Sequence, residues 1–390
     1  MDTDSSDWRF DCRSCGASFE ADAVAGRCPN CGGLLRALHP DLTPPTGLFE
    51  RMATSMWDFE ALLPVDESDA VSMGEGGTPL VSAPNLAAEF GVDRLLIKDE
   101  GQNPTGSVTD RELALAVTAL GNRAVDSGSL AAPGAAGQSF AAFAARAGMS
   151  GTVYLPSRAP FERKAMCNVH GIDLTVVRGR LPDAQTELRQ ARAANDLGQP
   201  VGAFETPYRY LGASTIAFEL LAQLSTPPDV IVVPTGSGHT LVGIYEGLRL
   251  LQAEGVLQDL PRLVGVQSTG CAPIADAYRT GNPVEQVAVP DTVCGELEWS
   301  DPDGGSWVLE AIEATNGTMV AVSDDTILDM GVTVARESGL ELRPDAAAGP
   351  AAIEKLGSMG QLDPTETVLA VSPGRGGADL LRSRLGANPR

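Results

Sequence analysis

Short apolar runs recur along most of this 390-residue chain, and stretches with helical periodicity separate them. A run that is apolar at every position is typical of a strand buried on both faces, as in a parallel sheet. The alternation of such runs with helices predicts an α/β protein with open twisted sheets, whose ligand sites lie at the carboxyl ends of the strands. The predicted strands are residues 152–155, 174–177, 230–233, 263–266 and 367–371, and the predicted helices between them are residues 184–194, 215–224 and 241–253.

The same alternation continues toward the N-terminal half of the chain. Residues 95–97 form a short apolar run that predicts a strand, and a glycine-containing loop separates it from a helix that begins near Glu112. Residues 139–147 place apolar side chains on a 3.6-residue period and precede Gly148, a residue type that commonly ends helices. We expect no internal repeat and no low-complexity tract.

Four cysteines near the N-terminus form two C-x-x-C pairs, Cys12 with Cys15 and Cys28 with Cys31. Two such pairs complete one tetrahedral site, which predicts a zinc ribbon over residues 1–38. A domain this short has too little core to fold alone, so metal is expected to supply much of its stability. The predicted role of the zinc is therefore structural.

Two other roles for the ribbon are less favoured. Residues 1–46 carry seven acidic residues against four arginines, which disfavours contact with nucleic-acid phosphates, and no βαβ unit surrounds the cysteines as a redox pair would require. Three prolines within residues 40–46 predict a linker over residues 39–50. The remaining cysteines are predicted to be ordinary buried thiols: Cys167, Cys271 and Cys294.

The composition is that of a folded but strongly acidic chain. The apolar fraction is 43% and the net charge is -23, and only three of the 28 basic residues are lysines. Such a composition resembles that of proteins from halophilic archaea, because concentrated salt screens the repulsion within an acidic surface; an ordinary acidic enzyme is the alternative. The charge argues against nucleic-acid binding. The sequence contains neither a signal peptide nor an apolar run long enough for a membrane helix, so we expect a cytoplasmic protein without membrane contact.

The segment from Lys98 to Arg111 has the sequence K-D-E-G-Q-N-P-T-G-S-V-T-D-R. It resembles the motif K-x-E-x-x-N-P-T-G-S-F-K-D-R of the threonine synthases, which are fold type II enzymes dependent on pyridoxal phosphate (PLP). In those enzymes the second lysine of the motif holds PLP as a Schiff base, and Thr109 stands at that position here. A hydroxyl cannot form an imine, so the resemblance implies a family member without its Schiff-base lysine.

The resemblance extends over nearly the whole chain. It implies a two-lobed α/β fold like that of the tryptophan synthase β subunit, preceded by the ribbon. The large lobe is predicted to comprise residues 51–105 and 206–390, and the small lobe residues 106–205. The segments that carry the resemblance are residues 56–64, 75–80, 206–210, 217–219 and 265–274.

The resemblance also implies where a cofactor would bind. The family binds the PLP phosphate in a glycine-rich turn at a helix N-terminus, where backbone N–H groups face the anion. His239 takes the place of a residue that is normally glycine in this turn, and Ser372 matches the position that hydrogen-bonds the pyridine nitrogen. The predicted cofactor-binding residues are Gly236, Ser237, Gly238, His239, Thr240 and Ser372.

A second loop of the family is altered here. In the family its hydroxyls and N–H groups fix the substrate carboxylate, and its asparagine contacts the phenolic oxygen of PLP. This chain has A-P-G-A-A-G-Q at residues 132–138, so the hydroxyls are absent, Pro133 lacks an N–H donor, and Ala135 replaces the asparagine. The resemblance therefore implies that this chain has no catalytic residue at the positions of Thr109 and Ala135.

The prediction is a non-catalytic paralogue that retains a pocket for a phosphate-bearing small molecule or for PLP, which would be held without a covalent bond. It is expected to be a monomer or homodimer, or to pair with an active paralogue. The alternative is a working lyase that converts O-phosphohomoserine to threonine, or a related amino-acid enzyme, with non-covalent PLP and with Thr109 or a water relaying protons. A third hypothesis is an interaction module whose ribbon docks a partner. None of the lysines Lys98, Lys164 and Lys355 is expected to reach the pocket.

Overall fold

The computed structural model of the protein describes residues 8–39, 42–224, 226–377, 381 and 384. Four parts of the predictions lie outside the described residues: the first seven residues of the ribbon, Pro40 and Asp41 of the linker, Ser225 of the large lobe, and most of the chain after residue 377. Within the described ranges, no helix combines the length and the apolar character that crossing a membrane requires.

The described residues form thirteen strands and eleven helices, together with short 3₁₀ turns. The strands are β1 (Arg9–Cys12), β2 (Ser18–Glu20), β3 (Leu35–Leu38), β4 (Leu80–Ser82), β5 (Arg94–Asp99), β6 (Ser127–Ala131), β7 (Ser150–Pro156), β8 (Asp173–Val177), β9 (Gln199–Pro200), β10 (Val230–Pro234), β11 (Arg262–Ser268), β12 (Thr318–Val322) and β13 (Thr367–Ser372). The helices are α1 (Pro84–Phe90), α2 (Thr109–Gly121), α3 (Ala135–Ala147), α4 (Phe161–Val169), α5 (Leu181–Ala194), α6 (Pro207–Gln223), α7 (His239–Ala253), α8 (Pro273–Thr280), α9 (Gly305–Ala314), α10 (Asp324–Ser338) and α11 (Pro344–Ser358).

Six strands form the large sheet, in the order β12-β11-β10-β13-β5-β4, and all neighbours are parallel except β4 with β5. Successive residues of the central strand β10 face opposite sides of this sheet. Val230 and Val232 pack in one core with α1, α10 and α11. Ile231 and Val233 pack in a second core with α6, α7 and α9. The continuous apolar runs of the sequence are therefore explained by burial on both faces.

Four parallel strands form the small sheet, in the order β8-β7-β6-β9. Helix α2 contacts both α3 beside this sheet and α6 beside the large sheet, so it joins the two lobes. Ala131 at the end of β6 and Pro234 at the end of β10 line one cavity. The carboxyl ends of strands from both sheets thus meet at the place where open α/β sheets bind ligands.

The ribbon strands β1, β2 and β3 form a separate antiparallel sheet that packs against the large lobe. The Phe10 ring meets the edge of Tyr208 on α6 at a centroid distance of 5.5 Å. Arg13 of the ribbon forms a 2.7 Å ion pair with Glu310 on α9. The ribbon therefore adds to the core of the large lobe as well as holding its own cysteines together.

The α/β architecture and the predicted strands are confirmed, and the order of elements follows the predicted alternation. Helices α3, α4 and α5 and strands β6 to β9 all fall within the range predicted for the small lobe. The exact lobe, linker and ribbon boundaries remain predictions.

Candidate functional site

A cavity of about 60 Å³ lies between the carboxyl ends of β6 and β10. Its walls come from the N-terminal turn of α2, the loop before α3, the turn before α7 and a segment of the large lobe around residue 297. The predicted site residues of the turn, together with Thr109, line this cavity. Sequence positions far apart in the chain therefore converge on one small space.

The predicted phosphate turn forms the N-terminus of α7. Gly238 precedes this helix with φ 95°, in the left-handed region that glycine adopts without strain. A Cβ atom on Gly236 would lie 2.4 Å from the carbonyl oxygen of Glu296, so this turn needs glycine for close packing. The backbone N–H groups of residues 236–240 have no hydrogen-bond acceptor among the described residues. Unpaired N–H groups at a helix N-terminus attract an anion.

Side chains next to the turn form a network around Glu112, which is fully buried on α2. Its carboxylate accepts hydrogen bonds from Arg209 at 2.6 Å, from His239 Nε2 at 2.5 Å and from Thr240 Oγ1 at 3.0 Å. Burial opposes ionisation of Glu112, but His239 and Arg209 outweigh it and keep its pKa below the ordinary value. Burial also lowers the pKa of His239. Arg209 and His239 therefore favour the ionised form of Glu112.

Ser237 extends this network, because its hydroxyl contacts His239 Nδ1. The resulting chain of serine, histidine and glutamate has the order of a nucleophile, a base and an orienting acid. Arg209, however, holds the same oxygen of Glu112 that contacts His239. Because Arg209 and His239 share this oxygen, we assign the network a positioning role for the turn.

Thr109 occupies the first position of α2 and lines the cavity. Its side chain is bound within the chain, since Thr109 Oγ1 lies 3.0 Å from Ser107 Oγ. The cavity wall therefore presents a hydroxyl where the resembling motif has a lysine.

The three lysines of the chain lie elsewhere. Lys98 is fully buried in an ion-pair network of the large lobe, and the other two are on helices away from the cavity wall. Each ammonium group donates to a main-chain carbonyl: Lys98 to Thr78 at 2.6 Å, Lys164 to Ser157 at 2.8 Å and Lys355 to Ala321 at 2.9 Å.

Ala135 and Ser372 have different surroundings. Ala135 is the first residue of α3, and its backbone N–H donates to the Glu296 carboxylate at 2.8 Å. Ser372 ends β13, and its buried hydroxyl has no hydrogen-bond partner among the described residues. Pro373, rather than Ser372 itself, lines the cavity. An unpaired buried hydroxyl beside a cavity is a group that a ligand could satisfy.

Two arginines that the sequence analysis did not single out also line the cavity. Arg343 forms a two-point ion pair with Asp345 at 2.6 and 2.9 Å, and its Nη1 has no acceptor among the described residues. Arg209 is 2% exposed, and its Nε is likewise without an acceptor in the described ranges. Buried cationic groups with unused donors favour a bound anion.

The four ribbon cysteines converge as the sequence predicted. Their sulfur atoms all lie within 4.8 Å of one another, with Cys12 and Cys28 buried and Cys15 and Cys31 exposed. This arrangement could hold one metal ion.

Comparison with known proteins places the chain in a family. The family model for pyridoxal-phosphate dependent enzymes matches residues 71–374, so the chain belongs to that family. It is 32% identical to the threonine synthase of Methanosarcina acetivorans and 31% identical to that of Methanocaldococcus jannaschii. Each alignment covers 94% of this chain and 91% of the relative. Within the pyridoxal-phosphate dependent enzymes, the protein is a member of the threonine synthase family.

Solved structures show the same fold. A fungal L-serine ammonia-lyase from Rhizomucor miehei superposes with a TM-score of 0.68 at 21% identity, covering 79% of this chain and 98% of that structure. A threonine deaminase from Solanum lycopersicum superposes with a TM-score of 0.68 at 20% identity, covering 80% and 84%. The predicted fold type II architecture is therefore confirmed.

The family binds PLP, and the cavity fits only part of that cofactor. The open N–H groups of residues 236–240 suit a phosphate group, and the unpaired Ser372 hydroxyl could serve a ring nitrogen. Thr109 cannot bind PLP covalently, and Ala135 offers no side-chain hydrogen bond. The cavity of about 60 Å³ is also smaller than most small-molecule sites, which typically measure ~300–1,000 Å³. The residues present therefore fit a phosphate group better than the whole cofactor.

Proposed function

We propose that this protein is a non-catalytic member of the threonine synthase family that binds a phosphate-bearing small molecule between its lobes. The observation that carries the proposal is that no lysine lines the cavity among the residues that the structure describes. Thr109 lines it in place of the motif lysine, and all three lysines of the chain are hydrogen-bonded elsewhere. A neutral hydroxyl supplies neither the covalent bond nor the proton transfers of a lysine, and general acid–base catalysis alone accounts for a factor of ~10²–10⁴ in rate.

Retention of anion binding is supported by three unused donor groups around the same cavity. These are the N–H groups at the start of α7, the Nε of Arg209 and the Nη1 of Arg343. Charged donors bind anions more strongly than neutral ones do. PLP, held without a covalent bond, would use the same donors for its phosphate, and the chemistry that PLP supplies elsewhere in the family is the stabilisation of a substrate carbanion.

The test has two separate parts, one with PLP and one with inorganic phosphate. Purified protein is mixed with PLP, reduced with borohydride and mapped by peptide mass, and inorganic phosphate is titrated separately by calorimetry. We expect no adduct on Lys98, Lys164 or Lys355, no threonine from O-phosphohomoserine, and measurable phosphate binding. In the matched double variant Arg343→Gln/Asp345→Asn, which removes the cation and its partner together, phosphate affinity should fall by about tenfold or more, since one charge-assisted hydrogen bond is worth ~1.5–3 kcal/mol.

Two results would contradict this proposal. Threonine formation by the wild-type protein would support the alternative of a working lyase that holds PLP without a covalent bond. An adduct on one of the three lysines would indicate a relocated covalent link. The halophilic archaeal source, the cytoplasmic location, the monomeric or homodimeric state and an active paralogue as partner remain predictions from sequence.

We further propose that the cysteine cluster of the ribbon holds structural zinc. About one zinc ion per chain is expected, because four thiolates complete one tetrahedral site. Cys28→Ser should lose the zinc and make the ribbon sensitive to proteolysis, because the metal compensates for its small core. Metal analysis and limited proteolysis measure both effects. Cys167→Ser, at a buried cysteine outside the cluster, is the control and should keep the metal. Full zinc content and an intact ribbon in Cys28→Ser would count against this assignment.

The hypothesis that the ribbon docks another protein receives no separate support from the contacts. Arg13 and Arg36 of the ribbon are both engaged by Glu310 of the same chain. Arg27 is engaged by Asp303. These basic side chains bind the ribbon to its own large lobe.

A further inference from the structure

Residues 291–299, which we call the strap, contribute Glu296, Leu297 and Trp299 to one wall of the cavity. The strap follows α8 in the large lobe and is held by arginines from the small lobe. Glu298 of the strap pairs with Arg158 at 2.6 Å and with Arg180 at 2.8 Å. Arg158 also donates to the carbonyl of Thr292 at 2.9 Å. The strap therefore ties the two lobes together beside the cavity.

The strap also places Glu296 at the N-terminus of α3. Its carboxylate accepts the N–H of Ala135, the first residue of that helix, at 2.8 Å. Burial raises the pKa of Glu296, and the nearby Arg343 opposes the increase. A helix N-terminus favours an anion, and here the chain provides a carboxylate from 161 residues away.

The second helix N-terminus at the cavity is different. The N–H groups at the start of α7 have no acceptor in the ranges that the structure describes, and the buried Nε of Arg209 beside them is also unused. The cavity thus has two positions for anions. The one at α3 is filled by Glu296, and the one at α7 is open.

We propose that Glu296 is a specificity-determining residue, a built-in carboxylate that reserves the α3 position and excludes ligands bearing a carboxylate there. The ligand class is then a small phosphomonoester without a carboxylate next to its phosphate. This inference rests on the proposed function, because it takes the open α7 position as the phosphate site.

The physical basis is competition for one donor. A ligand carboxylate at α3 would have to displace Glu296 from the N–H of Ala135, which already has its acceptor. If it lay beside Glu296 instead, two ionised carboxylates in a poorly solvated space would repel each other. A phosphomonoester without a carboxylate meets no such obstacle. Room for the rest of the molecule exists, because a neighbouring cavity of about 180 Å³ shares Ala131, Ser237 and Trp299 with the first.

The test uses two ligands that differ by one carboxylate, phosphoethanolamine and O-phospho-L-serine. Calorimetry with the wild-type protein is expected to show at least about tenfold tighter binding of phosphoethanolamine, a difference of ~1.4 kcal/mol. In Glu296→Ala the difference should disappear or reverse, because the N–H of Ala135 becomes free. Glu296→Gln keeps an acceptor of the same size without the charge, so it should relieve part of the discrimination. Unchanged melting temperatures of the variants would show that the fold is retained.

The outcomes separate this inference from the proposed function. Equal affinities in the wild type, or the same discrimination in Glu296→Ala, would overturn the role of Glu296 while leaving phosphate binding intact. If the wild type binds neither phosphoethanolamine nor phosphate, the proposed function fails. In that case, the role of Glu296 at the N-terminus of α3 is tested with crystals of Glu296→Ala grown in acetate. An acetate hydrogen-bonded to the N–H of Ala135 would support its role as a built-in anion, and an empty position would contradict it.

Discussion

Replacing Glu219 by alanine is expected to lower the free energy of unfolding by ~3–5 kcal/mol, because it leaves buried cations without their partner. Glu219 contacts Lys98 Nζ at 2.5 Å and Arg111 Nη1 at 2.8 Å, and all three side chains are 0% exposed. Arg111 is also held by Glu100 at 2.7 Å. Both cations belong to the motif that surrounds the missing lysine, so the motif is retained here as a structural support.

Denaturant unfolding measures this effect, and an exposed ion pair provides the control. Asp276→Ala breaks a pair with Arg279 whose side chains are 62% and 71% exposed. Exposed pairs contribute only ~0–1 kcal/mol, so this variant should unfold almost like the wild type. If the free energy of unfolding fell by similar amounts in Glu219→Ala and Asp276→Ala, the buried network would not have the stabilising role assigned to it.

The same network predicts how stability depends on pH. Burial opposes ionisation of Glu219, but Arg111 and Lys98 outweigh it and lower its pKa from 4.5 to about 2. A carboxyl with a lowered pKa stabilises the fold above its ordinary pKa, and this contribution is lost as the pH falls from 4.5 to about 2.

Most strands of this protein could be predicted from sequence because burial on both faces requires a continuous run of apolar residues. The apolar run at residues 230–233 corresponds to β10, whose five residues are all buried. Strand β6 has no continuous apolar run, and its sequence S-G-S-L-A contains residues with low strand propensity. Its place in the small sheet depends on pairing with β7 and β9.

The bounds of the buried helices, in contrast to the strands, could not be predicted from the sequence pattern. Helix α6 begins at Pro207, eight residues before the predicted start, and every residue from Pro207 to Leu220 is buried. A helix surrounded by protein has no polar face, so periodicity does not mark where it begins. The extent of helix α11 was not predicted, although Lys355 was expected to lie in a late helix, because Pro350 lies inside it and proline is strongly unfavourable in a helix interior. Packing between the large sheet and α10 overrides that preference.

The candidate site could be predicted only in part, because sequence patterns indicate local structure and not contacts between distant residues. The turn at residues 236–240 is local, so strand, glycines and helix indicated it directly. Glu112 lies three residues after Thr109 on α2, and that spacing places both on one side of the helix. This signal was available and was missed. Glu296 and Ala135 are 161 residues apart, and no local pattern in either segment indicates their contact.

The altered positions of the cavity are mutually consistent. Thr109 removes the amine, Ala135 removes a side-chain donor, and Glu296 satisfies the N–H group that the loop still offers. A loss of the lysine alone would have left the surrounding polar groups in place. We therefore infer that the cavity as a whole has been adapted to a smaller ligand, and that restoring one residue is not enough to restore cofactor capture.

The double variant Thr109→Lys/Glu296→Ala is accordingly expected to capture PLP efficiently, whereas Thr109→Lys alone captures little of it. A lysine at residue 109 would extend into a cavity of only about 60 Å³, and removal of the Glu296 carboxylate provides both space and a free N–H donor. Borohydride reduction followed by peptide mapping should show an adduct at residue 109 in the double variant. The yield should be at least about tenfold higher than in Thr109→Lys, which corresponds to ~1.4 kcal/mol if capture is limited by binding.

Glu296→Ala without the lysine is the control for nonspecific labelling, because Lys98, Lys164 and Lys355 are unchanged in it. Full capture by Thr109→Lys alone would mean that the strap does not prevent PLP from binding. The missing lysine would then be sufficient to explain the loss of cofactor capture. Capture by neither variant would mean that the network around Glu112 also excludes PLP, since its buried carboxylate lies next to the turn that would receive the phosphate. Threonine synthesis is expected in none of these variants, because Ala135 still cannot hydrogen-bond the cofactor through its side chain.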